Sequence, residues 1–234
     1  MCNACSDGAL VRRKFLLAGV GLIGATTLGK AARAQPQAAA ATPDAALSLL
    51  AEGNARYAAN QPRQRDFSAG RINTALGQAP FAAILGCADS RIAPELAFDQ
   101  NPGDLFVVRV AGNFVTPEGL GSLEFGTAVL GAKVIMVLGH TSCGAVDATV
   151  AALQKGNTLP GQIAVLVRAM KPGIEPVLKQ PGADLEQRAV VANVRYNVAR
   201  LQQAKPILAD LIAKKQLRIV GGVYDLGTGK VSVV

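Results

Sequence analysis

The sequence predicts an α/β domain with a mainly parallel central sheet flanked by helices and a helical arm at its N-terminal end. Three observations carry this. From residue 80 onward, apolar runs of five to seven residues alternate with stretches of helical period. The runs lack the in-and-out polarity of a sheet wetted on one side. Turn residues stand beside them. The runs at 81–85, 105–110, 134–138 and 217–223 read as strands buried on both faces. Residues 119–130, 145–153, 184–203 and 206–215 read as the helices between them. After the Gly227-Thr228-Gly229 turn, residues 231–234 add an edge strand.

Ahead of the sheet, Thr42-Pro43-Asp44 marks a helix start, with Thr at the N-cap and Pro at the first helical position. This helix is expected to run to about Asn60 with Ala46, Leu49, Leu50 and Tyr57 on one side. The polar residues 61–71 follow as an arm or loop, and 35–41 form a mobile Ala/Gln/Pro linker. Residues 42–234 then make a single catalytic domain.

Residues 1–34 read as an export signal. Arg12-Arg13-Lys14 precedes an apolar stretch at 15–28, which is short for a membrane span and suits a signal-peptide core. Ala32-Arg33-Ala34 supplies the cleavage site, and the paired arginines resemble a twin-arginine signal. The expectation is an exported, periplasmic protein with no stable membrane anchor once the signal is cleaved; an uncleaved amphipathic anchor is the alternative. Gly19-Val20-Gly21-Leu22-Ile23-Gly24 matches a dinucleotide-binding pattern, but no strand precedes it and a cleavage site follows, so that function is excluded. The charge of +8 falls to +4 without residues 1–34, and no basic run is interleaved with aromatics, which argues against a nucleic-acid partner.

Two strand ends deliver the chemistry. The first leads into Cys87-Ala88-Asp89-Ser90-Arg91, and the third into His140-Thr141-Ser142-Cys143-Gly144. Ligands bind at the carboxyl ends of strands in open α/β sheets, so the only His in the chain shares a rim with Cys87 and Cys143. In an oxidising compartment two cysteines could form a disulfide. Two thiolates and an imidazole also form a donor set suited to zinc, with a fourth position left open for catalysis. Asp89 could close that position, or Arg91 could hold it off the metal in a bidentate pair.

These residues resemble the paired signature of the β-class carbonic anhydrases, Cys87-x-Asp89-x-Arg91 followed by His140-x-x-Cys143, from about Asn54 to the C-terminus. Pro102-Gly103-Asp104, Ala111-Gly112-Asn113 and Gly121-Ser122-Leu123-Glu124-Phe125 add to the likeness. The resemblance implies one Zn2+ per chain on Cys87, His140 and Cys143, with Asp89 as a ligand only in a closed state. It implies reversible hydration of carbon dioxide to bicarbonate by hydroxide generated at zinc. Asp89 would orient the hydroxide, Arg91 would fix Asp89, and Gln78 would donate to a substrate oxygen across a subunit interface. Phe106 and Gly144 would form the substrate wall. It also implies a homodimer or higher even oligomer in which the N-terminal helix wraps a neighbour. Two thiolates beside zinc imply activity that rises toward mildly alkaline pH. Arg109 and Tyr224 match two residues of a regulatory bicarbonate site found in some members, but Ile84 stands where that site has Trp, which favours an open metal. Hydrolysis of carbonyl sulfide or carbon disulfide on the same scaffold, or a zinc-stabilised binding or sensing role, are the alternatives.

Overall fold

β1 (Ala82–Gly86), β2 (Leu105–Arg109), β3 (Val134–His140), β4 (Arg218–Tyr224) and β5 (Val231–Val233) form one sheet in the order β2-β1-β3-β4-β5. The computed structural model describes residues 40–68 and 71–234. The first four strands are parallel, and β5 returns antiparallel to β4 as the edge strand. Every residue of β1 and β3 is buried, which explains runs that are apolar throughout. Successive side chains feed opposite cores. Ala83, Leu85, Ile135 and Val137 join one, while Ala82, Ile84, Val134, Met136 and Leu138 join the other with Leu50 and Phe98.

The topology places the site. From β1 the chain winds outward to β2, then crosses back to β3 on the other side of β1. The direction of winding reverses between β1 and β3, and connections leaving their carboxyl ends diverge to leave a crevice. Cys87 and His140 stand at those two ends.

The helices are α1 (Pro43–Ala58), α2 (Arg71–Leu76), α3 (Pro94–Ala97), α4 (Pro117–Glu124), α5 (Gly144–Lys155), α6 (Ile163–Leu178), α7 (Leu185–Gln202) and α8 (Ile207–Ala213). α1 starts as expected: the Thr42 hydroxyl accepts from Ala45 N–H at 3.2 Å, ahead of Pro43. The helix expected over 119–130 divides. α4 gives way to a π-helical turn at Phe125–Val129, where the Thr127 hydroxyl donates back to the carbonyls of Leu123 and Glu124. Sequence reading missed α6, because Pro172, Gly173 and Pro176 lie within it. Burial of Met170 and Ile174, and the close packing of Gly173 on Tyr196 of α7, override a local propensity that disfavours helix.

The N-terminal region makes contacts that the sequence reading did not anticipate. α1 is docked on its own chain, where Ala46, Leu50, Gly53 and Asn54 are buried. Asn54 donates to the carbonyls of Ala97 and Gly229 and accepts from Val231 N–H, tying α1 to α3 and the β4–β5 turn. The following segment is pinned at its start by Asp99, whose buried carboxylate pairs with Arg56 and Arg65 and accepts from Arg63 N–H. Further on, Phe67 and Leu76 are exposed. Ala40, at the end of the linker expected to be mobile, is buried against the α1 core. The export signal at 1–34 and linker residues 35–39 lie outside the described residues. No helix among the described residues is long and apolar enough to cross a membrane.

Candidate metal centre

β1 and β3 pair with Gly86 opposite Leu138, so Cys87 and His140 reach the same rim. Ser142 then takes a left-handed conformation, φ 51°, and the turn brings Cys143 to the N-cap of α5. Thr141 ties this turn to β4, donating its N–H to Tyr224 C=O and accepting from Leu226 N–H. The result is a buried cluster in which one ligand atom each from Cys87, His140 and Cys143 lie within 4.8 Å of one another.

This donor set fits zinc. The two sulfurs stand 4.0 Å apart and both cysteines are free; tetrahedral zinc with bonds of about 2.3 Å holds its sulfurs roughly 3.8 Å apart. His140 Nδ1 lies 2.9 Å from Thr141 C=O. That contact places the ring proton on Nδ1 and leaves Nε2 as the lone-pair donor. Nε2 is buried with no hydrogen-bond partner, which a metal would satisfy. With three protein ligands, a fourth position is left for chemistry.

The electrostatics agree. A hydrogen bond from the Cys143 thiol draws the Cys87 pKa down to about 4 against the effect of burial. The Cys87 thiolate and burial push the Cys143 thiol up. Two thiolates at this distance therefore need a cation between them. Burial works against protonation of His140, but its contact with Cys87 outweighs this and raises its pKa.

Asp89 and Arg91 form a fork beside the cluster. Arg91 donates from Nε to Asp89 Oδ1 at 2.9 Å and from Nη2 to Oδ2 at 2.7 Å, and the Arg91 N–H adds a third bond. Nη2 also donates to Ser142 C=O, joining the two motif loops. Arg91 holds the Asp89 carboxyl well below the usual carboxylate range. Asp89 Oδ2 stands 3.8 Å from His140 Nε2, facing the metal position without being one of the three gathered ligands.

The remaining sequence-predicted residues are dispersed. Gly144 opens α5 beside Cys143, and a Cβ on it would meet open space. Phe106 lies on β2, packed on Gly126 and tilted against Phe125. Gln78 is exposed ahead of β1, at the end of the strand opposite Cys87. Ile84 is fully buried in the core, and Tyr224 contacts the Tyr57 hydroxyl at 3.2 Å. Arg109 is engaged by three carbonyls, those of Cys87, Asp89 and Ile92, and so braces the loop that carries Cys87 and Asp89. Sequence reading missed this brace because its acceptors are backbone atoms. It also missed Asn193 and Asn197 of α7, two buried amides behind the cluster. Their signal was available: two Asn at helical spacing amid Val190, Val191 and Val194.

A parallel sheet with a Cys-His-Cys centre at its switch point and a carboxylate–guanidinium fork beside it defines a class of metal-dependent α/β enzymes. Comparisons with known proteins place the chain more closely. The sequence pattern of the carbonic anhydrase family matches residues 82–231. The chain is 39% identical over 189 residues to carbonic anhydrase 2 of Mycobacterium tuberculosis, covering 80% of this chain and 91% of that protein. It is 38% identical over 192 residues to the carbonic anhydrase of Mycolicibacterium smegmatis, covering 82% and 93%. The Coccomyxa β-carbonic anhydrase, solved in complex with acetazolamide, matches with a TM-score of 0.63 at 30% identity, over 71% of this chain and 77% of that one. A tetrameric β-carbonic anhydrase of Sordaria macrospora matches with a TM-score of 0.61 at 25% identity, over 70% and 85%. The chain belongs to the carbonic anhydrase family, in its β class.

Proposed function

We infer that the chain is an active member of this family, a lyase that reversibly hydrates carbon dioxide to bicarbonate and a proton. The observation that carries this is the three-ligand set with its orphaned His140 Nε2, faced by an Asp89 already held by Arg91. Zinc, one per chain on Cys87, His140 and Cys143, would supply the Lewis acidity that turns water into a nucleophile near neutral pH.

The other tasks fall to side chains. Asp89 accepts a hydrogen bond from the attacking water and so aims its oxygen lone pair at carbon dioxide. Its own charge is fixed by the fork to Arg91, which favours a carboxylate that stays ionised and does not fill the fourth position. Gly144 keeps the wall beside Cys143 free of a side chain. No second His exists in the chain to carry the released proton away, and the fork keeps Asp89 too weak a base to hold it, which leaves buffer as the acceptor.

An oligomer supports the same reading. Five residues of strand at about 3.3 Å each separate Gln78's end of β1 from Cys87, roughly 16 Å. Gln78 therefore cannot donate to substrate at its own chain's centre, and its assigned role needs a second subunit's site. Export to the periplasm rests on Arg12-Arg13, the apolar stretch behind them and Ala32-Arg33-Ala34.

Stopped-flow hydration of carbon dioxide by metal-quantified protein tests the proposal, with Asp89→Ala alongside. The expected result is hydration by the wild type and a loss of roughly a hundredfold or more in the variant. A zinc-loaded wild type that is inert toward carbon dioxide would turn the assignment to carbonyl sulfide, carbon disulfide or a binding role.

A further inference from the structure

Behind Cys87 lies a chain of buried amides that the hydration chemistry does not use. Gly112 donates its N–H to Cys87 Sγ at 3.3 Å. The aim of that N–H depends on a backbone conformation, φ +84°, that favours glycine, and a Cβ there would collide with the Met170 sulfur. The other side of the Gly112 unit is anchored too, because its carbonyl accepts from Asn193 Nδ2 at 2.8 Å. Asn193 has no freedom to turn round. Asn197 Nδ2 donates to Asn193 Oδ1 at 3.1 Å, which fixes the amide end of Asn193 toward Gly112. Asn197 is fixed in turn, accepting from Val115 N–H at 2.9 Å.

Both asparagines are buried on a face of α7 otherwise made of Ala189, Val190, Val194 and Leu201. Leucine would fill that space without the desolvation that a buried amide incurs. What asparagine adds is direction. A hydrogen bond to a ligating thiolate draws electron density from sulfur, and such outer contacts set how strongly a ligand holds its metal.

We propose that Asn193 is a positioning residue of the metal centre: through Gly112 it aims an N–H at Cys87 Sγ and so tunes the donor strength and placement of that thiolate. The proposal rests on the assignment of Cys87 as a metal ligand. Asn193→Leu removes the donor while keeping the branched shape, and Asn193→Ala removes it with less demand on packing. Val194→Ala is the control, since it opens the same helix face without touching the hydrogen-bond chain.

The measurement is the sulfur-to-cobalt charge-transfer band of the Co(II)-substituted protein, with zinc release to a chelator alongside. Wild type is expected to show the band. Either Asn193 variant, whichever folds, is expected to shift it to longer wavelength as the sulfur regains electron density, and to weaken zinc retention by about tenfold or more because Cys87 loses its placement. Val194→Ala is expected to lower Tm and leave the band in place. An unshifted band in a folded Asn193 variant, or an equal shift in Val194→Ala, overturns the proposal while leaving the metal site intact. A wild type without thiolate charge transfer overturns the metal assignment itself, and this proposal with it.

Discussion

The fork between Asp89 and Arg91 decides what the metal position can do. Asp89 Oδ2 is near enough to His140 Nε2, at 3.8 Å, that a modest swing of the side chain would carry it to a metal. Three hydrogen bonds from Arg91 oppose that swing. Lysine would keep the charge but lose the planar fork that engages both oxygens. Arg91→Lys is therefore expected to lower kcat by roughly tenfold or more with little change in zinc content. Steady-state hydration on metal-quantified protein checks this, and a variant as active as wild type would show that charge alone suffices. Cys87, His140, Cys143, Asp89 and Arg91 were all legible in the sequence, because each is a chemically rare group placed just past an apolar run. The bracing role of Arg109 was not, since nothing in a sequence reveals that a guanidinium will face three carbonyls.

Among the elements, strands were read best. β1 and β3 are wholly buried and β4 mostly so, and turns bound them closely; β2, expected to be buried on both faces, is an edge strand in which only Leu105 is buried. Helices were read where periodicity was clean and lost where it was not, as α6 shows. The arm at 61–68 was legible as polar but not as fastened, because its anchor, Asp99, is 36 residues away from Arg63. Burial raises the Asp99 pKa, but the hydrogen bonds from Arg56 and Arg65 outweigh it and leave the carboxyl below its usual range. A carboxyl depressed in the fold contributes stability that is complete above its unfolded value, about 4, and lost as pH falls through the folded value. Asp99→Asn is thus expected to destabilise the protein by about 3 kcal/mol at neutral pH, since it strands two arginines beside a buried amide. The difference from wild type should shrink as pH drops below about 4. Urea unfolding at several pH values measures this, and a pH-independent difference would assign the loss to packing alone.

Across the whole molecule, the role proposed for Gln78 requires an assembly, because Gln78 lies at the end of β1 opposite its own Cys87. The exposed arm residues Phe67 and Leu76 lie in the same region of the chain as Gln78. Subunit complementation tests the arrangement. Gln78→Ala and Asp89→Ala chains, each deficient alone, are unfolded, mixed and refolded together. If Gln78 serves a neighbouring centre, each hybrid dimer holds one site free of both substitutions, and hydration recovers above that of either parent. A mixture no more active than the average of its parents would contradict a role for Gln78 at a neighbouring subunit's centre. The family, the fold and the Cys87-His140-Cys143 cluster were legible at this scale from two short motifs. The supporting shell was not, because α1 meets the β4–β5 turn, and α7 the Gly112 loop, only in three dimensions.

The measurement that tests the central claim most directly is carbon dioxide hydration followed while zinc is titrated into metal-stripped protein, with Cys143→Ser in parallel. The expected result is activity that rises in proportion to zinc, levels off near one zinc per chain and is absent from the variant. Protein that takes up zinc at Cys87, His140 and Cys143 and still fails to hydrate carbon dioxide would contradict it.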